Sequence, residues 1–387
     1  MIKRRLGRTL LWLVAMAAMA TMRPAMAAAD SAGRRTQNIL LITFDGLRWQ
    51  EVFSGAERRL IDAKIGGVKD VRTTEARFWR TTPEQRRKAL MPFFWSKVAA
   101  EGQVFGDPSH ECIAKVTNHR HFSYPGYNEI LTGFADKRIV SNAKIYNPNV
   151  TVLEWLNGRP SFAHRVEAFG SWDVFPYIIN TRRSGIPVNA GWQPIEDFGS
   201  PKETSLINEL AGETPHYWET LRYDVYTFYA ALSGLKKDRP RVLYVSFGET
   251  DDWGHAGRYD LYLDAAARTD RYIKRLWNTV QSMPEYAGKT TLVLSTDHGR
   301  GDTRDGWKSH GLHIPGSDRI WMAVLGPDTP AQGERSHLDV TQSQIAATVA
   351  ELLGEDYHAA VPKSGAPLSG VIGKATASRT NHPRSVR

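Results

Sequence analysis

A single cysteine, Cys112, stands in 387 residues. That excludes an internal disulfide and any multi-cysteine zinc site, and a lone thiol reads as a small buried apolar side chain rather than a reactive one. Beyond residue 27 no apolar run approaches the roughly 18 residues that a membrane span needs, so no stable span is expected once a leader is removed. A dense Lys/Arg block is also missing. The formal net charge of +9 includes Lys3, Arg4, Arg5, Arg8 and Arg23, and setting those five aside leaves +4, an ordinary value that argues against a nucleic-acid partner. No internal repeat is visible.

The first 27 residues have the form of a secretory signal peptide: a basic start, the apolar "LLWLVAMAAMATM", and "AMA" at 25–27 for cleavage. A secreted or periplasmic protein is therefore expected. Residues 28–370 read as one domain, and 371–387 as a polar, disordered tail.

Apolar, β-branched runs at 38–43, 241–247, 290–295 and 320–325 alternate with helical stretches at 87–101, 217–236, 258–283 and 340–353. Continuous apolar strands between amphipathic helices predict an α/β fold, with a mostly parallel central sheet covered by helices on both faces. The charged, aperiodic segment 56–86 and the Gly-, Pro- and aromatic-rich segment 172–216 read as loops.

Three strands end in the same chemistry. Asp45 follows "NILLIT", Asp251 and His255 lie in "GETDDWGH" after the second run, and Asp297 and His298 open "DHGRGD" after the third. Each alone is weak, since Asp-Gly after a strand is most often a turn. With His310 in "KSHGLH" they supply three carboxylates and three imidazoles to the crevice outside the carboxyl ends of a parallel sheet, where ligands bind. Such a set suits two divalent ions, zinc above manganese or magnesium; without cations the carboxylates would repel one another.

Ser123, in "HFSYPGYNEILTG", precedes a helix predicted from about Gly126. Taken alone it reads as a helix cap. Beside the cluster it reads as a nucleophile at a helix N-terminus, a place suited to a tetrahedral anion. His119 and His121 read as surface or packing groups.

In combination "FDGLR", "SYPGYNEILTG", "ETDDWGH", "STDHGRG" and "SHG" resemble the alkaline phosphatase superfamily, and within it the type I phosphodiesterase/nucleotide pyrophosphatase branch and its phosphoglyceromutase-like relatives. The likeness implies one metal held by Asp45, Ser123, Asp297 and His298, and another by Asp251, His255 and His310. Its spacing selects Asp251 over Asp252 and His310 over His313, and it carries a phosphoryl-binding amide onto Asn142 in "RIVSN". Tyr127 stands where a sulfatase signature needs arginine, which argues against a formylglycine sulfatase. Only 127 residues separate Ser123 from Asp251, too few for the large inserted domain of a glycolytic mutase.

The resemblance implies an exported two-metal hydrolase of small phosphorylated substrates, working through a phosphoseryl intermediate, with diesters or pyrophosphates favoured. A phosphomonoesterase or mutase-like phosphotransferase is the alternative, followed by a sulfatase or a non-catalytic metal- or anion-binding protein. Phe169, Trp172 and Phe175 are candidates for a diester pocket, with core packing the favoured role.

Overall fold

The computed structural model describes residues 34–373 except 197 and 199; the leader and residues 374–387 lie outside the described residues. Eleven strands occur among them: β1 (Asn38–Phe44), β2 (Gln103–Phe105), β3 (Ala114–Lys115), β4 (Val166–Gly170), β5 (Val188–Ala190), β6 (Val242–Phe247), β7 (Thr290–Thr296), β8 (Arg319–Ile320), β9 (Met322–Leu325), β10 (Gly333–Glu334) and β11 (Val340–Thr341). Eight of them form the main sheet in the order β10-β2-β9-β7-β1-β6-β4-β5, and β11-β3-β8 form a small second sheet. Five adjacent strands, from β7 to β5, are parallel, and β9 alone runs against the rest. The expected mostly parallel sheet is present.

Successive side chains of a strand point to opposite faces, and here both faces are buried. Leu40 and Ile42 join Leu243, Val245, Leu292 and Leu294 in one core, while Ile39 and Leu41 join Val242, Tyr244 and Val293 in the other. That explains the unbroken apolar runs, which a half-exposed sheet would have replaced with alternation. Helices Asp224–Lys237 and Tyr259–Ser282 cover the first face, and Ser123–Thr132 and Ile345–Leu352 the second.

The strand register sets the site. Phe44 pairs with Phe247 on one side and with Thr296 on the other, so the residues after β1, β6 and β7 leave the sheet at one level.

Several local expectations are corrected. Segment 56–86 contains helices Val71–Phe78 and Pro83–Leu90, each with a side-chain N-cap from Asp70 or Thr82. Segment 172–216 contains helix Pro201–Glu213, opened by Ser200 and Pro201. The helix expected from 217 starts at Asp224, because Leu221 bridges Trp172 in extended form. Val371 is buried in the second core.

After Asp45 the chain turns into a short helix, Trp49–Ser54. Arg48 and Glu51 are fully buried there and paired with each other; Arg48 also reaches Glu57, and Tyr259 donates to Glu51 at 2.8 Å. The Arg48 guanidinium donates to the Gly301 carbonyl at 3.1 Å, tying this segment to the loop after β7.

Candidate active site

Asp45, Ser123, Asp251, His255, Asp297, His298 and His310 come together at the carboxyl ends of β1, β6 and β7. His298 is wholly buried, and its Nδ1–H donates to the Gly299 carbonyl at 2.8 Å. That hydrogen bond fixes the tautomer and leaves Nε2 as a lone pair. Nε2 lies 3.4 Å from Asp45 Oδ1, 3.4 Å from Asp297 Oδ2 and 3.4 Å from Ser123 Oγ. A tetrahedral ion with ligand bonds of about 2.1 Å has edges of about 3.4 Å, so these separations fit a zinc-sized centre. Asp45 Oδ1 and Asp297 Oδ2 are also buried and lack a hydrogen-bond partner. Leaving two such oxygens uncompensated would cost several kcal/mol, which a bound cation offsets.

The second group shares a helix and a loop. Asp251 and His255 lie four apart on helix Glu249–His255 and so face the same way, with Asp251 Oδ2 3.1 Å from His255 Nε2. His310 donates from Nδ1 to the His121 carbonyl at 3.0 Å, which turns its lone-pair Nε2 to within 2.9 Å of His255 Nε2. Asp251, His255 and His310 can offer ligand atoms to one ion.

Protonation follows burial. Burial, then the Asp251 charge, pushes Asp45 well above the usual carboxylate range, and burial, then Asp45, does the same to Asp297. Burial lowers His298 to about 4 and His310 to about 2, so both rings are neutral, as metal ligands must be. Burial raises Asp251, but Arg300, His310 and His255 together hold it well below the ordinary value.

Ser123 is the first residue of helix Ser123–Thr132, three positions earlier than expected. Phe122 is the N-cap and makes no side-chain cap bond, so the Ser123 hydroxyl is not used as a cap. Asn142 is exposed, and its Oδ1 accepts the Tyr124 N–H at 3.0 Å, which places this amide at the same helix end with Nδ2 available to donate. Asp252 makes no ion pair with either histidine among the described residues, and burial with the Asp251 charge pushes it up to about 8. His313 is exposed. Phe169 and Phe175 are core residues, and Trp172 packs edge-on against Phe175.

Three contributors were missed in the sequence. Tyr127, read only as a missing arginine, donates to Asp45 Oδ2 at 2.9 Å and accepts from Ser246 Oγ at 3.0 Å. Its spacing is the usable signal: four residues after Ser123 it shares that helix face. His121, read as a surface or packing group, holds His310 through its carbonyl. Arg300, quoted within "DHGRG" but given no role, is buried against Asp251.

Residues 61–316 match the family described as type I phosphodiesterase / nucleotide pyrophosphatase. The chain belongs to that family. The matched span of this phosphodiesterase-family chain takes in every proposed site residue except Asp45, which lies 16 residues ahead of it. A 2,3-bisphosphoglycerate-independent phosphoglycerate mutase from Haloarcula marismortui is 28% identical over 141 residues, 36% of this chain and 25% of that protein; the chain thus spans about a quarter of this curated relative. The alkaline phosphatase PafA has a similar fold, with a TM-score of 0.56, 12% identity, and coverage of 87% of this chain and 99% of that one. A phosphonate monoester hydrolase from Silicibacter pomeroyi gives 0.53, 13%, 89% and 78% respectively. These likenesses establish an alkaline phosphatase-type fold.

Replacing Tyr127 with Phe removes the donor to Asp45 and leaves Ser246 Oγ without its acceptor. The expected result is a stability loss of about 1–2 kcal/mol together with a roughly tenfold weaker uptake of an ion at Asp45, read by denaturant midpoint and by competition with a chromophoric chelator.

Proposed function

We propose that this is an exported phosphoester hydrolase that uses Ser123 as nucleophile and two divalent ions, acting on diester or pyrophosphate substrates. The observation that supports the reading is the 3.4 Å approach of Ser123 Oγ to His298 Nε2, a distance at which the serine would serve as the fourth corner of a buried ligand set. Asp45, Ser123, Asp297 and His298 would hold one ion, and Asp251, His255 and His310 the other. Bound there, zinc, or manganese or magnesium in its place, supplies Lewis-acid stabilisation of the attacking and leaving oxygens.

The chain supplies the rest. At the start of helix Ser123–Thr132 the Ser123 N–H is the first-turn donor left for a phosphoryl oxygen, since Tyr124 donates to Asn142 Oδ1, Pro125 has no N–H and Gly126 donates to the Phe122 carbonyl, and the Asn142 amide adds a donor at the same end. Ser123 Oγ forms a bond to phosphorus as the bond to the leaving oxygen breaks, and water then hydrolyses the phosphoseryl ester. Export rests on the leader-like residues 1–27. Among the described residues no helix is long and apolar enough to cross a membrane. The diester preference rests on the family.

Bis-nitrophenyl phosphate tests the reading. Metal-replete protein is expected to cleave it faster than nitrophenyl phosphate, and chelation to lower the rate at least about a hundredfold, with recovery on adding zinc. Faster cleavage of the monoester would turn the reading to a phosphomonoesterase. Inertness towards both esters would sink it.

A further inference from the structure

The two ligand groups differ in charge and in exposure: one has two carboxylates and the other has one, and Arg300, paired with that one, widens the difference. Its guanidinium is buried, with Nε donating to the Trp307 carbonyl at 2.8 Å, Nη2 to the Lys308 carbonyl and Nη1 to Asp251 Oδ1. Two glycines leave room for it. A Cβ at Gly254 would lie 2.7 Å from Arg300 Cζ, and one at Gly46 3.1 Å from Nη1. The guanidinium is therefore held against Asp251 by two carbonyls as well as by the carboxylate.

Asp45 and Asp297 have no such partner: among the described residues no arginine or lysine lies within ion-pair distance of either. An ion there meets two carboxylates with unsatisfied oxygens in a fully buried setting. An ion beside Asp251 meets one carboxylate already neutralised by Arg300, with only Asp251 Oδ2 facing His255. It also lies nearer water, since the His255 side chain is 47% exposed while His298 and Asp297 are at 0%.

We infer that Arg300 makes the Asp251–His255–His310 site the weaker and exchangeable one, so that the ions load in order and the second responds to the free metal concentration. This rests on the two-ion reading above. At an effective dielectric near 20, a unit charge a few Å from an ion changes its affinity by at least about tenfold, so the charge of Arg300 outweighs its help in orienting Asp251.

The test is titration of metal-free protein with zinc alone, in competition with a chromophoric chelator. The wild type is expected to bind one ion tightly and a second at least tenfold more weakly. In Arg300→Met the weak class tightens at least tenfold and by more than the tight class, which feels Arg300 from farther off, since His298 Nε2 lies 3.8 Å from the same Asp251 Oδ1. Arg300→Lys, which keeps the charge and gives up carbonyl bonds, stays as weak as the wild type. Two equal classes in the wild type, or a second ion that is unchanged or weaker in Arg300→Met, would overturn the inference. If thermal melts show that Arg300→Met does not fold, the wild type and Arg300→Lys still decide it, because a tighter second ion in Arg300→Lys contradicts the charge argument. A wild type that never takes up a second ion would instead overturn the two-ion reading itself.

Discussion

Ser123→Ala is expected to lower turnover of bis-nitrophenyl phosphate by at least about three orders of magnitude, with no loss of fold. The hydroxyl is the only group at the start of helix Ser123–Thr132 that the proposed mechanism uses to attack phosphorus. Its removal costs little structurally, since Ser123 makes no cap bond and the helix is begun by Phe122. On the proposed reading Asp45, Asp297 and His298 would still hold an ion, through three ligands in place of four. Steady-state rates beside thermal melts separate the chemistry from the scaffold. A variant that melts like the wild type and turns over within tenfold of it would show that Ser123 is not the nucleophile.

Gly46→Ala is expected to damage stability and the metal site together. Gly46 has φ +57°, in the left-handed region, and a Cβ there would lie 2.4 Å from Asp251 Oδ1. The backbone conformation alone costs about 1 kcal/mol for alanine, and the contact is too close to stand unless Asp251 moves. Because the Gly46 N–H also holds Asp297 Oδ1 at 3.0 Å, the disturbance reaches both ligand groups. The expected outcome is a loss of about 2–4 kcal/mol by denaturant midpoint and a fall in zinc uptake below two ions per chain. Unchanged stability with full zinc uptake would mean that the close approach at Gly46 has no consequence.

Gly46 also shows which parts of the molecule were legible in the sequence. Apolar runs that end in Asp or His marked β1, β6 and β7, because a sheet buried on both faces needs uninterrupted hydrophobics and its strand ends can hold polar groups. Five of the six proposed side-chain ligands lie in that pattern, and His310, in the loop before β8, was selected over His313 by the family resemblance. Helix Pro201–Glu213 was hidden among Gly, Pro and aromatic residues: its burial is confined to Thr204, so almost no apolar stripe announces it. The reversed direction of β9 leaves no mark on composition. Tyr127 and Arg300 escaped for another reason. Each touches a candidate ligand that is distant in sequence, Asp45 for one and Asp251 for the other, and only the folded chain makes those pairs adjacent.

The antiparallel β9 also has a positional consequence. It places Arg319–Ile320 in the small sheet and the preceding loop over the strand ends, where Ser317 Oγ meets His121 Nδ1 at 3.1 Å. The loop bearing His310 is thus fixed on both sides of that residue, by the Arg300 bonds to residues 307 and 308 before it and by Ser317 after it.

The most direct test of a metal-assisted serine nucleophile is the mass of the protein after acid quench during turnover of bis-nitrophenyl phosphate. Attack by Ser123 releases one nitrophenol and leaves a nitrophenyl-phosphoryl group on Oγ. The predicted result is that added mass on the peptide containing Ser123 in metal-replete protein, and no such mass after chelation. Sustained turnover with no adduct on that peptide, retained in Ser123→Ala, would contradict it.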